Sequence, residues 1–203
     1  MIAHRLRGLL LALVGSLALA VSAEVARAQS EPADTQPAPS ETEADPEATP
    51  PTVDRARANA LRRQIRSHRS NAWHWQRVMA KRPTPTSYGE RRTTSIAKLT
   101  WMRNLWRTRA MRVRQSAKRV PNLGAWLCIH RYEGAWNDPH SPYYGGLQMD
   151  IQFQRAYGRY LLSKKGTADR WKPLEQMWTA EKARRSGRGF HPWPNTARLC
   201  GLI

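Results

Sequence analysis

The chain has 203 residues, with 34 lysines and arginines against 15 acidic residues, a net charge of +19 and two cysteines. This length allows one or two small domains and excludes a large multidomain protein. The uneven spread of charge excludes a single uniform unit. The six histidines lack the paired helical spacing of a zinc protease motif, so we expect no metal site and no cofactor.

Residues 1–28 have the pattern of a secretory signal peptide. A basic start precedes an apolar run over residues 9–21, and Ala-Arg-Ala at 26–28 fits cleavage before Gln29, with a second possible site after Ala23. The alternative is an uncleaved membrane anchor, but the apolar run is short against the roughly 20 residues that span a bilayer. We therefore expect a protein that is secreted or held at the cell wall.

Residues 29–54 are rich in Pro, Ala, Thr, Ser and acidic residues and hold almost no large apolar side chain. Such a segment cannot bury enough surface to fold. It is predicted to be an acidic disordered linker that acts as a spacer.

Residues 55–120 are strongly basic, with nineteen lysines and arginines against a single acid, Glu90, between positions 55 and 119. Apolar residues recur at helical spacing in two stretches, and a proline-rich loop at 83–89 separates them. We expect two basic helices arranged as an antiparallel hairpin. Four tryptophans are expected to help form the seam: Trp73, Trp75, Trp101 and Trp106.

Three interpretations of this basic region remain open. Arginines among aromatic residues are typical of nucleic-acid binding. In an exported protein, however, the polyanions within reach are anionic cell-wall polymers, peptidoglycan carboxylates and lipid surfaces. The favoured interpretation is therefore retention at the wall by charge, with anionic wall polymers as the partner, and no nucleic acid is expected. A solvated face without a specific partner is the third interpretation.

The next stretch places one acid between an apolar helix and a loop rich in glycine and aromatic residues. Apolar residues over 126–132 recur with helical spacing, which predicts an amphipathic helix from about Asn122 to near Gly134. Glu133, the only acid on it, falls in the last turn. The negative end of the helix dipole and the neighbouring rings favour the protonated carboxyl, which can donate a proton to a leaving group.

The following loop reads Tyr-Tyr-Gly-Gly-Leu-Gln-Met over residues 143–149. Sugars offer apolar faces and a rim of hydroxyls, so their sites combine flat aromatic rings with amide and backbone partners. Glycines allow the backbone to approach a ligand closely. The predicted substrate-binding residues are Trp136, Tyr143, Tyr144, Gly145, Gly146, Gln148 and Trp193.

From residue 150 onward the composition is that of a globular domain. The pattern predicts a helix after the glycine loop and another from Pro173 to about Arg185. Met177 and Trp178 lie in the middle of this second helix and are expected in the core.

Glu175 and Glu181 share that helix with basic neighbours and are expected at its surface or in helix pairs. The proline-rich tail leads to Trp193, which either covers the core or lines the rim of a cleft.

These motifs together resemble a known family. Cys128, Glu133, a nearby tryptophan and the Tyr-Tyr-Gly-Gly-Leu-Gln-Met loop are followed by Glu-Gln at 175–176, Ala-Glu at 180–181, Trp-Pro at 193–194 and Cys200. The combination resembles the resuscitation-promoting-factor-like transglycosylase domain over roughly residues 121–203. In better-known members the glutamate directly follows the first cysteine, whereas here four residues separate them.

The resemblance implies a small, mainly α (α+β) lysozyme-like domain at residues 121–203, closed by a disulfide and cleaving peptidoglycan with Glu133. Two cysteines 72 positions apart in an exported chain also fit a Cys128–Cys200 disulfide. The alternative, a nucleophilic Cys128 activated by His130, is disfavoured because residues two apart on a helix do not face each other.

Glycoside hydrolysis normally uses two carboxylates. Only Asp138 and Asp150 lie near Glu133 in the chain, and a turn and a helix cap are the simpler roles for them. We therefore expect a lytic transglycosylase that acts on peptidoglycan glycan strands with Glu133 alone. The alternatives are a muramidase that uses Asp138 or Asp150, and an inactive wall-binding protein.

Overall fold

The computed structural model describes residues 51–203, which are mainly helical. The predictions for the signal peptide at 1–28 and for nearly all of the linker at 29–54 concern residues outside this range. None of the helices in this range combines the length and the apolar composition that a membrane span requires.

The basic region contains two long helices and a short one. Helix α1 spans Pro51–Val78, α2 spans Tyr88–Arg92 and α3 spans Ile96–Lys118. The start of α2 is closed by a capping box, in which Ser87 and Glu90 each bond the other's backbone N–H. Ser95 caps α3 by accepting from the backbone N–H of Lys98.

The prediction of an antiparallel hairpin is wrong, because α1 and α3 run parallel. Arg103 donates to Gln64 at 3.5 Å, and the rings of Trp73 and Trp106 meet edge to face at 6.1 Å. Later positions on α1 thus meet later positions on α3. In a hairpin, the start of α3 would lie beside the end of α1.

The reason is the length and path of the connection at residues 79–95. The indole N–H of Trp73 donates to the carbonyl of Thr84 at 2.7 Å, and Arg62, farther back along α1, donates to the carbonyl of Thr93 at 3.3 Å. The connection therefore returns along α1 to its first half before α3 begins. Seventeen residues are too many for a tight turn between helices.

The tryptophan seam forms in part. Trp73 and Trp106 lie in it, whereas Trp101 is 59 % exposed and Trp75 packs into a second core. The buried residues between α1 and α3 are Ala58, Leu61, Ile65, Ala72, Leu99, Met102, Trp106 and Ala110.

Five further helices and one small sheet follow. Helix α4 spans Leu123–Glu133, α5 Ile151–Tyr157, α6 Arg159–Lys165, α7 Pro173–Ala183 and α8 Pro194–Leu199. Strand β1, Tyr143–Tyr144, pairs antiparallel with β2, Met149–Asp150, with Tyr143 opposite Asp150. A 3₁₀ turn, Ala168–Arg170, precedes α7, and a π-helical turn, Arg184–Arg188, follows it.

Helix α7 is buried along most of its length, and Met177 and Trp178 are in the core as predicted. The indole N–H of Trp178 donates to the carbonyl of Ala117 at 2.8 Å, across to the end of α3. Val78 and Met79, at the end of α1, belong to the same apolar cluster. The basic helices thus share a core with the residues that follow them.

Glu175 and Glu181 were predicted to lie at the surface of α7 or in helix pairs. The surface position is wrong, since both are completely buried. Glu181 does form pairs within the helix, with Arg184 and Arg185. Glu175 accepts from Lys165 Nζ at 2.7 Å on each oxygen and lies 2.7 Å from His74 Nε2. Burial alone raises the pKa of this carboxyl, but the hydrogen bonds from His74 and Lys165 outweigh it and lower the pKa to about 2.

Glu181 has a similar environment on the other side of α7. It accepts from Arg184 and Arg185 at 2.8–2.9 Å and from the indole N–H of Trp126 at 3.3 Å. Burial raises its pKa, and the hydrogen bonds from Arg184, Arg185 and Asn122 lower it below the usual value. Helical spacing showed basic neighbours, but could not show that these neighbours fold over a buried carboxylate.

Candidate active site

Glu133 is the last residue of α4 and is partly buried. The helix ends at Gly134, as predicted, where φ is +144° and a side chain would be strained. Trp126 and Ile129 are fully buried and anchor the inner face of α4. The helix therefore holds the Glu133 carboxyl at its C-terminal end, beside open surface.

Thr196 on α8 contacts this carboxyl directly. Its hydroxyl donates to Glu133 Oε1 at 2.7 Å, and the residue is only 9 % exposed. The sequence interpretation missed Thr196. The signal that could have found it is its position one helical turn before Cys200, the expected partner of a cysteine on the glutamate's own helix.

The disulfide between Cys128 and Cys200 is present, with 6.0 Å between the Cα atoms. It joins α4 to the end of α8. Because Glu133 lies one to two turns beyond one cysteine and Thr196 one turn before the other, the bond secures the pair of helices that brings carboxyl and hydroxyl together.

A surface depression of about 300 Å³ opens beside Glu133. Three of the predicted substrate-binding residues line it, namely Tyr143, Gln148 and Trp193. The rest of its lining was not predicted to bind substrate, and it consists of Pro192, Pro194 and Asn195. The tail around residue 193 therefore forms one wall of the depression, and the Tyr143–Gln148 loop contributes another part.

Trp193 fills both roles that the sequence left open. The residue is 4 % exposed, its indole N–H donates to the carbonyl of Leu147 at 2.7 Å, and its ring packs edge to face on Trp126 and Phe153. The same residue lines the depression. Its ring is thus a rigid part of the wall.

Trp136 and Tyr144 are not among the lining residues. The ring of Trp136 stacks on His130 with centroids 3.8 Å apart, and its carbonyl accepts from Gln176 at 2.7 Å. Tyr144 is partly buried against the main core. These contacts give both rings a structural role below the loop.

Gly145 and Gly146 are buried, and their lack of a side chain serves internal packing. A Cβ on Gly145 would lie 2.6 Å from Gln176 Oε1, and one on Gly146 would lie 2.6 Å from His130 Nδ1. The close approach expected for a ligand is made here by protein side chains. The two glycines set the path of the loop that carries Gln148.

Asp138 holds Gln148 in place. Its Oδ2 accepts from Gln148 Nε2 at 2.9 Å, while Oδ1 accepts from the backbone and ring N–H groups of His140. The side-chain hydrogen bond from His140 is the main cause that lowers the pKa of Asp138 below its usual value. Asp150 caps α5 through the N–H of Phe153 at 2.7 Å, which confirms the helix-cap role.

Glu133 forms no ion pair with any residue in the described part of the chain. Glu133 thus lies at the edge of a depression, and within residues 51–203 its carboxyl accepts one side-chain hydrogen bond, from a neutral hydroxyl. Residues 51–203 contain no cluster of three His, Cys, Asp or Glu side chains that would hold a metal ion.

Comparison with protein-family models, with curated proteins and with solved structures gave no significant match for this chain.

Proposed function

We propose that the chain is a lytic transglycosylase that cleaves the glycosidic bond between N-acetylmuramic acid and N-acetylglucosamine in peptidoglycan. The observation that carries this proposal is the position of Glu133, beside a depression and free of any ion pair in residues 51–203. A carboxyl in that position can move a proton to and from a bound substrate.

The reaction proceeds in two proton transfers. Glu133 gives its proton to the glycosidic oxygen as the bond from that oxygen to C1 of the muramic acid breaks. The resulting carboxylate then takes the proton of the C6 hydroxyl on the same sugar, whose oxygen bonds to C1. The products are a 1,6-anhydro sugar and a glycan chain with a free hydroxyl, and Glu133 is protonated again.

The lining of the depression supports a sugar ligand. Tyr143 is half exposed and provides an aromatic side chain, and Trp193 adds a second one that core packing holds in place. Gln148 provides an amide whose orientation Asp138 sets. A few polar groups placed among aromatic walls are typical of sites that bind carbohydrate.

A hydrolase that uses Asp138 is the second candidate, favoured by the lowered pKa of this carboxyl and by its hydrogen bond with Gln148, which lines the depression. Against it, both Asp138 oxygens already accept hydrogen bonds, from His140 and Gln148. A carboxylate so engaged is poorly placed to activate water. Asp150 is likewise occupied as a helix cap.

The wider proposal includes a lysozyme-like kinship for residues 121–203, secretion, and retention at anionic wall polymers through residues 55–120. The disulfide supports export, because such bonds persist in oxidising compartments. The excess of nineteen basic residues over one acid supports an anionic partner.

The test is digestion of purified peptidoglycan by the oxidised protein, with mass spectrometry of the soluble products. We expect anhydro-muropeptides, and Glu133→Gln should lower their rate of release roughly 10²- to 10⁴-fold. Asp54→Asn, which neutralises an exposed acid on α1, is the control and should leave the rate unchanged. Reducing-end products would favour the hydrolase, and no products would favour a wall-binding protein.

A further inference from the structure

A groove of about 160 Å³ lies between α1, α3 and the connection at residues 79–95. Its floor is apolar and buried, whereas its walls are basic. The lining residues are Arg62, Ile65, Arg66, Arg69, Glu90, Arg91, Thr93, Leu99 and Met102. The groove lies in the basic region, and none of its lining residues lines the depression beside Glu133.

Four guanidinium groups line this groove with only one carboxylate. Arg62, Arg66 and Arg69 are spaced four and three residues apart, so one face of α1 presents all three. Arg91 comes from α2 on the opposite wall. Like charges at this spacing repel, and an anion bound between them would relieve the repulsion.

Protein contacts hold three of these arginines without neutralising them. Arg62 donates to the carbonyl of Thr93 and Arg91 to that of Thr86, each at 3.3 Å, while Arg69 lies over the ring of Trp73 at 5.1 Å. None of the four forms an ion pair within residues 51–203. The cations are thus positioned and remain available.

Glu90, the one acid in the groove, is already engaged. Its Oε2 accepts from the N–H of Ser87 at 2.8 Å as part of the capping box, and its nearest cation is Arg109 at 4.0 Å. It leaves most of the positive charge in the groove uncompensated.

The choice of residue also favours oxyanion recognition. Residues 55–119 contain sixteen arginines and three lysines, whereas residues 121–203 contain eight and four. Arginine presents a planar fork that binds phosphate and carboxylate through two parallel hydrogen bonds, while lysine is a point charge. A carboxylate has two oxygens and is satisfied by one such fork, whereas a phosphate ester has enough oxygens for several.

We infer that this groove binds the phosphate group of a phosphate ester, with the arginines on its oxygens and the apolar floor against the carbon portion. A small polyol phosphate and a phospholipid headgroup share this chemistry. The inference does not depend on the proposed lytic activity.

The first experiment titrates the oxidised full chain with glycerol 3-phosphate by calorimetry, at an ionic strength held constant with chloride. We expect saturable binding that weakens at least ten-fold in the double variant Arg66→Gln, Arg69→Gln. The matched control is Arg57→Gln, Arg63→Gln, which removes two exposed cations from the same helix outside the groove and should change affinity less than two-fold. Equal weakening in both variants would overturn the inference, as would no binding by the wild type.

Two further double variants test whether the weakened binding comes from a folding defect or from the loss of positive charge alone. Arg66→Gln, Arg91→Gln tests both walls and spares the Arg69 contact with Trp73, and it should weaken binding at least ten-fold. Arg66→Lys, Arg69→Lys keeps the charge and loses the forks, so at least a three-fold loss is expected. Full affinity in either variant would contradict the inference.

Sedimentation with phosphatidylglycerol vesicles, compared with phosphatidylcholine vesicles, identifies the source of the phosphate. Vesicle binding that glycerol 3-phosphate displaces, and that the first double variant lacks, assigns the groove to a headgroup. Binding of the soluble ester without vesicle binding assigns it to a small ligand. Vesicle binding that neither the ester nor the groove substitutions reduce would reflect general charge and would count against the inference.

Discussion

The glutamates of α7 and the glutamate that ends α4 lie in opposite environments. Glu175 and Glu181 are completely buried and each contacts two cationic or basic side chains, whereas Glu133 is partly exposed and meets one hydroxyl. A buried carboxylate needs such partners because the loss of water is otherwise too costly. The α7 carboxylates therefore stabilise the fold, whereas Glu133 has no cationic partner in residues 51–203, as the proposed proton transfer requires.

The largest effect on stability is expected at Glu175. Glu175→Gln replaces a completely buried carboxylate with a neutral amide and leaves the Lys165 ammonium without its partner. Breaking a buried pair in this way costs about 3 kcal/mol in the free energy of unfolding. Urea denaturation at neutral pH measures this change.

Glu133→Gln is the matched control for that experiment. It makes the same substitution but leaves no cation unpaired in residues 51–203, so the free energy of unfolding should change by less than about 1 kcal/mol. Equal destabilisation by the two substitutions would contradict the division between structural and chemical carboxylates.

The stabilisation that Glu175 contributes should depend on pH. The pKa of Glu175 is about 2 in the folded protein against 4.5 for the unfolded carboxyl, so its stabilisation is fully present above pH 4.5 and is lost as pH falls towards 2. The difference in unfolding free energy between the wild type and Glu175→Gln should therefore shrink over this window. Unfolding curves at several pH values between 7 and 2.5 measure it, and a difference independent of pH would refute this account.

The smallest effect is expected at Thr196. Thr196→Val keeps the shape and removes the donor to Glu133, at a cost of about 1 kcal/mol, or roughly a five-fold loss in the rate of peptidoglycan cleavage. Thr196→Ser restores a hydroxyl and should recover most of the rate. Failure of serine to recover it would mean that packing, and not the hydrogen bond, explains the loss.

Local signals in the sequence predicted several features correctly. The end of α4 at Gly134 and the cap formed by Asp150 each depend on one residue at one position, and the disulfide joins the only two cysteines of the sequence. The buried middle of α7 followed from its apolar residues. Tyr143, Gln148 and Trp193 were also expected near Glu133, and the structure brings them to one depression.

Features that depend on distant contacts were missed. The parallel course of α1 and α3 follows from hydrogen bonds between the connection and α1, such as Trp73 to Thr84, which helical periodicity does not encode. Glu175 can be a buried carboxylate because His74 and Lys165 reach it from two other helices, and helical spacing within α7 shows neither partner. The two glycines of the loop were assigned to close approach of a ligand because the sequence does not show which side chains pack against them. These side chains are Gln176 on α7 and His130 on α4.

The disulfide keeps Glu133 and Thr196 in one molecule after a protease cuts the chain between its cysteines. The bond from Cys128 to Cys200 closes the chain into a covalent ring that contains both Glu133 and Thr196. Exposed residues of this ring, such as those at 139–143, are natural places for a protease to cut. A single cut there opens the ring but leaves every residue attached to one molecule, so the glutamate and its hydroxyl partner cannot diffuse apart.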